Sequence, residues 1–541
     1  MGIKTSRRGF LALSATAALG AAAGASETKP GTGPKQTSAG KDGKPNLVVI
    51  MVDGLQAQRL RLYGGKDLVT RSIDRLAFQG TTFAQAITTC PLCTPARQSL
   101  WTGQYPHSFR CVFNNVPMPD DLPHLPQLLK NAGYRTALIG KDHCFHPKLV
   151  PQIFDVHWES GHGGAPSHKD DPDVKSYEDI AGLEFLRVAH GQIIDLPGRV
   201  TTTARTTERC LEFLNEAGSG PFFVWLSYPE PHSPWVTPRE YADMYHPAAL
   251  ALPYSWKCDI SSKPAHFREL YDLMGCAKMT EAHIRQLTQI YYGMVSQIDE
   301  GVGNVLEMLD KKGLAQNTIV VFTSDHGEYM GNLGMVQKSA HLYDALIRVP
   351  LIIRWIGRLP AGSMVDGLVE HHDLMPTLCT LMNIAKPPGI QGVDLTGLLS
   401  GASYQRDVVF SEIGFHADRA LVKEKTYCPE LRWAEARAFY HFVFGHYAHR
   451  ARCVRTRTHK LVAYEYGERE LYDLVTDPEE KLNLYGKPEV ATIERDLTEL
   501  LLQWSITSES PLPDLMQHYD GGGAALRKRL EEGFSKIPDA M

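Results

Sequence analysis

Three continuous apolar runs constrain the fold more than any other feature of this 541-residue chain. They are Asn46–Asp53, Phe222–Tyr228 and Thr318–Thr323, and none of them alternates regularly between apolar and polar side chains. Such runs are typical of strands buried on both faces of a parallel sheet, because a strand with one face in water alternates. Between the runs lie helical patterns, such as Arg285–Lys312. The sequence therefore predicts an α/β fold with a large, doubly wound, mostly parallel sheet flanked by helices.

Further segments extend this alternation to residue 400, where the pattern changes. Additional strands are predicted at Thr81–Ile87, Tyr134–Ile139 and Val349–Trp355, and additional helices at Ser72–Phe78, His124–Ala132, Thr201–Ala217 and Asp373–Met382. After Gly401, short strand patterns occur at Val408–Ile413, Arg455–Tyr464 and Glu470–Leu474, with a helical pattern at Thr492–Trp504. We therefore predict a catalytic domain at residues 45–400 and a smaller C-terminal α+β domain with a tail at residues 401–541.

The N-terminal segment has the features of an export signal. Arg7 and Arg8 precede an apolar run, Leu11–Ala23, that is too short to span a bilayer and ends in small residues. This pattern resembles a twin-arginine signal, although a chance arginine pair before an alanine-rich helix is the alternative. We predict a signal peptide at residues 1–25 and a disordered leader at residues 26–44. The expected location is periplasmic or secreted, reached through the twin-arginine export machinery.

Charge and cysteine content exclude several classes of protein. The formal net charge of −5 provides no basic footprint for nucleic acid. The ten cysteines are scattered, so the chain is not a small fold held together by disulfides. No other stretch is long and apolar enough to suggest a stable membrane span. These features leave a globular enzyme or binding protein as the expected class.

The most informative polar stretch is Cys90–Gly103, which contains the run Cys93-Thr-Pro-Ala-Arg97. A thiol one turn before an arginine, with proline between them, can stand at the head of a helix. Backbone N–H groups there favour anions, and Arg97 adds a planar guanidinium that suits tetrahedral oxyanions. Two alternatives remain open for this stretch: Cys90 and Cys93 as a redox pair or half of a zinc site, or Cys93 as an inert buried thiol.

Two of the predicted strands end in possible metal ligands. Asp53 ends the first strand, and Asp325 and His326 follow the strand Thr318–Thr323. In parallel sheets, functional groups collect at the carboxyl ends of strands. Carboxylate oxygens favour Ca²⁺ or Mg²⁺, so these residues and the side chain at position 93 are predicted to hold one divalent cation.

The run Cys93-Thr-Pro-Ala-Arg97, followed by Leu100 and Gly103, resembles the signature of type I sulfatases in the alkaline phosphatase superfamily. Other family-like segments occur in the family's order, at Lys141-x-His143, Pro231-His232-Ser233-Pro234, Lys338, His371–Thr377 and Glu470–Leu474. The resemblance covers residues 45–484. It implies that Cys93 is oxidised to formylglycine by a formylglycine-generating enzyme during maturation, and that the bound ion is Ca²⁺.

The resemblance also implies a role for each polar residue of the site. Asp53, Asp325, His326 and the modified residue 93 would bind the metal, and Arg97 and His143 would orient the hydrated aldehyde. Lys141, Lys338 and His232 would bind the sulfate group. One hydroxyl of the hydrate would attack sulfur and pass its proton to Asp325, and either His232 or Lys338 would protonate the departing alcohol.

Three positions depart from the commonest pattern of the family. Gly54 stands where most members have a second carboxylate or an amide, so one metal ligand is missing or is replaced by water or a distant side chain. Asp344 stands where the family usually has glutamate. His326 replaces the asparagine of many arylsulfatases, and it also occurs in some glycosaminoglycan sulfatases and in phosphonate monoester hydrolases.

The sequence therefore predicts a hydrolase of sulfate monoesters, with a small-molecule or oligosaccharide sulfate ester, preferably a sulfated carbohydrate, as substrate. The alternatives are a phosphonate monoester or phosphodiester hydrolase on the same scaffold and a non-catalytic binder of sulfated glycans. Loops at residues 145–200 and 235–280 are expected to recognise the alcohol. Proposed lining residues of this alcohol pocket are His162, Trp235, Arg432, Arg437, His441 and His446.

Overall fold

The computed structural model describes residues 43–111, 113–114, 116–161, 171–184, 190–402, 406–414 and 450–509. The predicted signal peptide, nearly all of the leader and the tail after residue 509 lie outside these residues, as do His162 and the four pocket candidates between 432 and 446. Within the described part of the chain, no helix combines the length and the apolar content that crossing a bilayer requires.

Fifteen strands occur in the described residues. They are β1 (Asn46–Asp53), β2 (Thr81–Ile87), β3 (Arg135–Gly140), β4 (Val156–Glu159), β5 (Gly191–Ile194), β6 (Phe222–Pro231), β7 (Trp235–Pro238), β8 (Thr318–Ser324), β9 (Arg348–Val349), β10 (Leu351–Arg354), β11 (Ser363–Glu370), β12 (Val409–Ile413), β13 (Ala451–Arg455), β14 (His459–Tyr464) and β15 (Arg469–Asp473).

Thirteen α-helices occur in the same residues. They are α1 (Arg71–Phe78), α2 (Cys93–Thr102), α3 (Leu125–Asn131), α4 (Val150–Ile153), α5 (Pro172–Glu184), α6 (Thr202–Asn215), α7 (Arg239–Ala242), α8 (Ala265–Leu273), α9 (Glu281–Lys311), α10 (Asp344–Ile347), α11 (Leu374–Leu381), α12 (Thr396–Leu399) and α13 (Ala491–Thr507).

The large sheet has nine strands, in the order β11-β2-β10-β8-β1-β6-β3-β4, with β9 paired to β2. The five strands from β8 to β4 are parallel to one another. Strand β10 is antiparallel to both β8 and β2. This mostly parallel sheet with helices on its faces confirms the fold class predicted from the apolar runs.

Strand β1 lies at the centre of the sheet and is buried on both faces. Val48, Ile50 and Val52 pack into the core that includes α6 and α9. The alternate side chains, Leu47 and Val49 among them, pack into the core that includes α2, α3 and α11. An apolar side chain is therefore required at every position, which explains why this segment does not alternate.

A second sheet follows the large one in the chain, with four antiparallel strands in the order β12-β13-β14-β15. Helix α13 packs against it through Leu497, Leu501 and Trp504. The predicted single strand at Arg455–Tyr464 is wrong, because a turn closed by the Thr456 N–H on the His459 carbonyl (2.8 Å) splits it into β13 and β14. The result is a small antiparallel α+β unit, as predicted after residue 401.

We expect Ile50→Ala in β1 to lower the free energy of unfolding by about 2–5 kcal/mol, because Ile50 is fully buried and the cavity cannot collapse. Leu502→Ala, at a side chain that is 55% exposed on α13, should change it by less than about 0.5 kcal/mol. Denaturant unfolding of both variants checks this. Equal effects of the two substitutions would contradict the central position of β1.

Candidate active site

Four neighbouring strands of the large sheet end next to one another, and a polar residue predicted for the site stands at the end of each. Asp53 is the last residue of β1, and Asp325 and His326 directly follow β8. Lys141 directly follows β3, and His232 directly follows β6. Because β8, β1, β6 and β3 are parallel neighbours, their carboxyl ends share one edge of the sheet. The fold therefore gathers side chains that are far apart in sequence.

Helix α2 brings Cys93 and Arg97 to the same place. Cys93 is its first residue, and Arg97 lies one turn later on the same face. All ten residues of the helix are buried, and Trp101 packs edge-on against Trp225 of β6 at 5.0 Å between ring centroids. Gly103, with a φ of +69°, ends the helix in the left-handed conformation. The helix is thus fixed on the sheet with the thiol at its amino end.

Arg97 links the two strand-end carboxylates. Its Nε donates to Asp325 Oδ2 at 2.8 Å, and one terminal nitrogen donates to Asp53 Oδ2 at 3.1 Å. The other terminal nitrogen donates to the Ser227 hydroxyl at 2.7 Å and to the Lys141 carbonyl at 3.0 Å. All of these contacts are buried, so the guanidinium is held in one orientation and fixes both carboxylates in turn.

Four possible ligand atoms, from Asp53, Cys93, Asp325 and His326, lie within 4.8 Å of one another. His326 Nε2 is 3.3 Å from both Asp53 Oδ1 and Cys93 Sγ, and 3.6 Å from Asp325 Oδ1. Because Arg97 bonds Oδ2 of each carboxylate, Oδ1 of each faces His326. Two carboxylate oxygens and one imidazole are a donor set that fits a divalent cation.

Gly54 supplies backbone groups to the site and no ligand. Its φ is +82°, a conformation that glycine adopts without strain. Its N–H donates to Asp325 Oδ1 at 3.3 Å, and its carbonyl accepts from the Tyr291 hydroxyl at 2.8 Å. A Cβ at this position would lie 3.5 Å from His326 Cε1. The position that the sequence marked as lacking a ligand therefore orients a neighbouring carboxylate instead.

Two buried lysines place positive charge beside position 93. Lys141 Nζ is in direct contact with Asp53 Oδ2, and Lys338 Nζ lies 3.1 Å from Cys93 Sγ and 3.9 Å from Asp53 Oδ1. Burial by itself raises the pKa of Asp53, but the two lysines lower it well below its usual value. Burial and Asp53 raise the pKa of the Cys93 thiol, but the two lysines outweigh them, so the net pKa of this thiol is well below its usual value. The site is built to hold negative charge at these atoms.

Besides His326, two histidines were predicted for the site, and they differ in exposure. His232 is 6% exposed, and burial together with Lys338 lowers its pKa to about 3. Its Nδ1 lies 2.5 Å from the Ser233 carbonyl, which can only accept, so Nδ1 carries the proton and Nε2 is an acceptor. His143, at a φ of +52°, is exposed and marks the opening of the site.

The site also contains two buried residues that the sequence analysis did not predict. Ser227 accepts a hydrogen bond from Arg97, and it is the one polar side chain between Leu226 and Tyr228 in the apolar run of β6. Glu328 follows His326 by two residues, and burial raises its pKa to about 7 against the opposing charges of Lys338 and His326. The sequence signal that could have identified both residues is a hydroxyl or a carboxylate within an otherwise buried segment.

The structure bears on two further sequence interpretations. The nine cysteines in the described residues are free thiols, and burial raises the pKa of Cys90 well above its usual value, which fits an unreactive thiol better than a redox partner of Cys93. Trp235 does not line an alcohol pocket, because it is fully buried and its indole N–H donates to the Pro231 carbonyl at 3.1 Å. It packs in the core beneath the His232 turn.

A second group of carboxylates and imidazole, from Glu370, His372 and Asp373, also lies within ligand distance. Arg406 already neutralises it, with one guanidinium nitrogen 2.5 Å from Asp373 Oδ2 and 3.1 Å from Glu370 Oε2. Asp373 also accepts from the Glu370 and Val393 N–H groups, in a capping arrangement with Glu370. This cluster is structural, because an arginine occupies the place that a metal would take.

The parallel sheet carries carboxylates, an imidazole, lysines and a helix-borne thiol at its carboxyl edge, which is the arrangement that the resemblance to sulfatases of the alkaline phosphatase superfamily implied. The family model described as "Sulfatase" matches residues 45–384. The chain therefore belongs to the sulfatase family and is a sulfuric ester hydrolase. A second model, "N-sulphoglucosamine sulphohydrolase, C-terminal", matches residues 416–507.

Individual relatives span nearly the whole chain. It is 29% identical over 516 residues to the uncharacterized sulfatase YidJ of Escherichia coli (strain K12), which covers 91% of this chain and 95% of the relative. It is also 29% identical to the ulvan-active sulfatase of Formosa agariphila, covering 84% and 80%. Among solved structures, the phosphonate monoester hydrolase of Silicibacter pomeroyi shares the fold, with a TM-score of 0.70 and 24% identity over 87% of this chain and 97% of that one.

We expect metal affinity to rise with pH. Although burial lowers the pKa of His326, Asp325 raises it to about 10, so the metal-free ring is protonated near neutral pH and has no lone pair at Nε2. A cation must displace that proton, so the association constant should rise about tenfold for each pH unit below that pKa. Calcium titration calorimetry at several pH values, in buffers of different ionisation enthalpy, measures the affinity and the proton released. An affinity independent of pH would contradict this.

Proposed function

We propose that this enzyme hydrolyses sulfate monoesters of carbohydrates and that Cys93, converted to formylglycine, carries the nucleophile. The observation that supports this most directly is the position of Cys93. Its Sγ lies among the metal-ligand atoms of Asp53 and His326 and 3.1 Å from Lys338 Nζ. Cys93 is buried, and the side chains that its thiol contacts, Asp53, His326 and Lys338, belong to the site, which suits a residue that is modified for catalysis.

The modification and the metal each supply one element of the chemistry. Hydrated formylglycine provides an oxygen nucleophile with a second hydroxyl, so that sulfate can leave as the aldehyde re-forms. Asp53, Asp325, His326 and an oxygen at position 93 would hold Ca²⁺, which neutralises charge on the ester. Because Gly54 adds no donor, water or the substrate itself would complete the coordination of the ion.

The remaining side chains bind and neutralise the ester. Lys141 and Lys338 stand on the Asp53 side of position 93, where the sulfate oxygens would lie during the reaction. As sulfur gains a bond to the oxygen at position 93, its bond to the alcohol oxygen breaks. The attacking hydroxyl gives its proton to Asp325. In the second step the remaining hydroxyl gives its proton to His143, the carbon–oxygen bond to sulfate breaks, and water restores the hydrate.

Lys338, rather than His232, is the proton donor that we propose for the departing alcohol. The Nδ1 proton of His232 is committed to the Ser233 carbonyl, and its pKa near 3 leaves Nε2 unprotonated at neutral pH. A group in that state can accept a hydrogen bond from substrate but cannot give a proton. Lys338 carries three donor hydrogens and lies within 3.1 Å of the nucleophile position.

The preference for a carbohydrate substrate rests on two resemblances. One relative is named as active on ulvan, and the C-terminal segment matches a model named for an N-sulphoglucosamine sulphohydrolase.

The alternative substrate class is a phosphonate monoester, favoured by the fold shared with a phosphonate monoester hydrolase and by a cationic site that tolerates both ester types. Parallel kcat/KM measurements on matched phenyl sulfate and phenyl phosphonate esters decide between them, and a larger value for the phosphonate would overturn our proposal.

After coexpression with a formylglycine-generating enzyme, we expect the tryptic peptide Leu76–Arg97 to carry formylglycine at position 93. Cys93→Ala should lower kcat/KM by about 10³-fold or more, because it removes the nucleophile. Cys90→Ala is the matched control, three residues away on a buried thiol outside the site, and should retain activity. Mass spectrometry and steady-state kinetics check both statements. An unmodified thiol together with sulfated-glycan binding would instead favour a non-catalytic binder.

We also propose that the protein is exported in folded form through the twin-arginine route, so that modification precedes transport. The paired Arg7 and Arg8 before a short apolar run support this. In a host with this pathway, a variant with both arginines replaced by lysine should accumulate in the cytoplasm, whereas the parent chain should reach the periplasm. Fractionation followed by activity assay measures the distribution. An unchanged distribution would argue against this route.

A further inference from the structure

The loop that carries Lys338 is held by charged residues of the C-terminal sheet. Residues 338–344 connect Lys338 to α10, and all of them are buried. Four residues that follow it in the chain contact its second half: Arg455, Lys460, Glu470 and Glu480, which we call the C-terminal anchor. None of the proposed catalytic steps uses them, although Glu470 lies in a segment that the sequence marked as family-like.

Lys460 of β14 contacts two residues of the loop. It is fully buried, and its Nζ donates to the Leu342 carbonyl at 2.7 Å and to Asp344 Oδ1 at 3.1 Å. It also forms a direct ion pair with Glu480. A single ammonium group therefore fixes both the backbone and a side chain of the loop.

Arg455 and Glu480 hold Asp344 from both sides. Arg455 contacts the Asp344 carboxylate through Nε at 3.1 Å and through a terminal nitrogen at 2.8 Å. Glu480 Oε2 accepts from the Asp344 N–H at 2.6 Å. Burial by itself raises the pKa of Asp344, but Arg455 and Lys460 lower it far below its usual value. The carboxylate at this position is thus charged and held on several sides.

The carboxylate of Glu470 in β15 accepts hydrogen bonds from three tyrosine hydroxyls. Tyr343 of the loop donates to its Oε1 at 2.7 Å, Tyr472 of the same strand contacts the same oxygen, and Tyr464 of β14 donates to Oε2 at 2.6 Å. The loop contributes one of these hydroxyls and the C-terminal sheet contributes the other two. Glu470 therefore connects the two with a hydrogen bond that can be removed without changing the shape of either side.

Buried ion pairs of this kind add little net stability, because desolvation offsets most of their attraction. What they do supply is one geometry, since every buried donor and acceptor must find its partner. The anchored residues, Leu342 to Asp344, follow Lys338 by only four to six positions in a loop that is buried throughout. A fixed loop keeps Lys338 Nζ at 3.1 Å from residue 93, and a displacement of about 1 Å is enough to slow a reaction strongly.

We propose that the C-terminal anchor is a positioning device for Lys338. Its residues touch neither substrate nor nucleophile, and they act by setting where the Lys338 ammonium group stands. This inference rests on the proposed role of Lys338 as proton donor to the leaving alcohol. It also accounts for a buried charge cluster that the catalytic chemistry itself does not require.

The test compares three variants of the full chain. Tyr343→Phe removes the loop's single hydrogen bond to Glu470, and Lys460→Met removes the ammonium that holds Leu342 and Asp344. Tyr464→Phe is the matched control, because it removes one hydroxyl from the same Glu470 carboxylate and leaves the hydrogen bond between Tyr343 and Glu470 in place. Lys338→Met sets the limit for complete loss of the donor. Since Lys460→Met leaves a buried carboxylate unpaired and risks misfolding, Tyr343→Phe carries the conclusion by itself if needed.

The first readout is kcat/KM on sulfate esters of good and poor leaving alcohols. Misplacing the proton donor lowers kcat/KM most when the leaving alcohol is least acidic. Tyr343→Phe and Lys460→Met should therefore lower kcat/KM on a sugar or alkyl sulfate about tenfold. The rate on 4-nitrophenyl sulfate, whose leaving group needs little help, should fall less than about threefold. Tyr464→Phe should show no such difference. If Lys338→Met itself shows the selective loss, equal losses on both esters in Tyr343→Phe and Lys460→Met, or the selective loss in Tyr464→Phe, would overturn the proposal.

The second readout does not depend on the reaction. In protein produced without the maturation enzyme, Lys338 beside Sγ favours the Cys93 thiolate, which reacts with iodoacetamide. Displacing Lys338 should lower the alkylation rate at position 93 by about threefold or more in Tyr343→Phe, with Tyr464→Phe unchanged. If Lys338→Met shows equal losses on both esters, the proposed donor role fails, and the alkylation rates still decide whether the anchor positions Lys338. An unchanged alkylation rate in both Tyr343→Phe and Lys460→Met would reject the proposal that the anchor positions Lys338.

Discussion

The bridge that Arg97 makes between Asp53 and Asp325 is the interaction on which the site depends. Two buried carboxylates at the ends of adjacent strands repel each other unless a cation stands between them. Burial opposes the charge on Arg97, yet the two carboxylates raise its pKa above its already high value, so the guanidinium stays charged. Because it bonds Oδ2 of both acids, it also decides which oxygens face His326 and a metal ion. The Arg97 guanidinium thus determines both the charge balance of the site and the orientation of its carboxylate ligands.

The sheet makes this bridge possible because the chemistry is confined to the ends of its strands. The interiors of β1 and β8 are apolar on both faces, and the acids Asp53 and Asp325 stand at the carboxyl edge, where those strands end. Helix α2 crosses to the same edge and is fixed there by Trp101 against Trp225. Arg97 then reaches both strand ends from one helix turn. The site is rigid because each of its supports belongs to a buried element, which is the condition for preorganised catalysis.

Sequence reasoning reached the elements whose signals are local. The apolar run of β1 and the helical spacing of α9 each determine one element by themselves, and the fold class follows from their alternation. The polar residues at strand ends could be named in the same way. The support of Arg97 by Ser227 could not, because a single serine inside an apolar strand does not show which distant side chain it meets. Trp235 was misplaced for a related reason: an aromatic residue near the site sequence suits a pocket and a core equally well.

The distribution of charge in the site bears directly on where Lys338 stands. Arg97, Lys141 and Lys338 already exceed the two carboxylates in charge before a divalent ion binds, so the site attracts anionic esters. The same excess pushes the ammonium groups apart and away from a metal. Lys141 is retained by direct contact with Asp53, whereas Lys338 lies 3.9 Å from that carboxylate. Lys338 also stands at the start of a buried loop, and the residues of the C-terminal anchor that fix the second half of that loop set the position of its ammonium group.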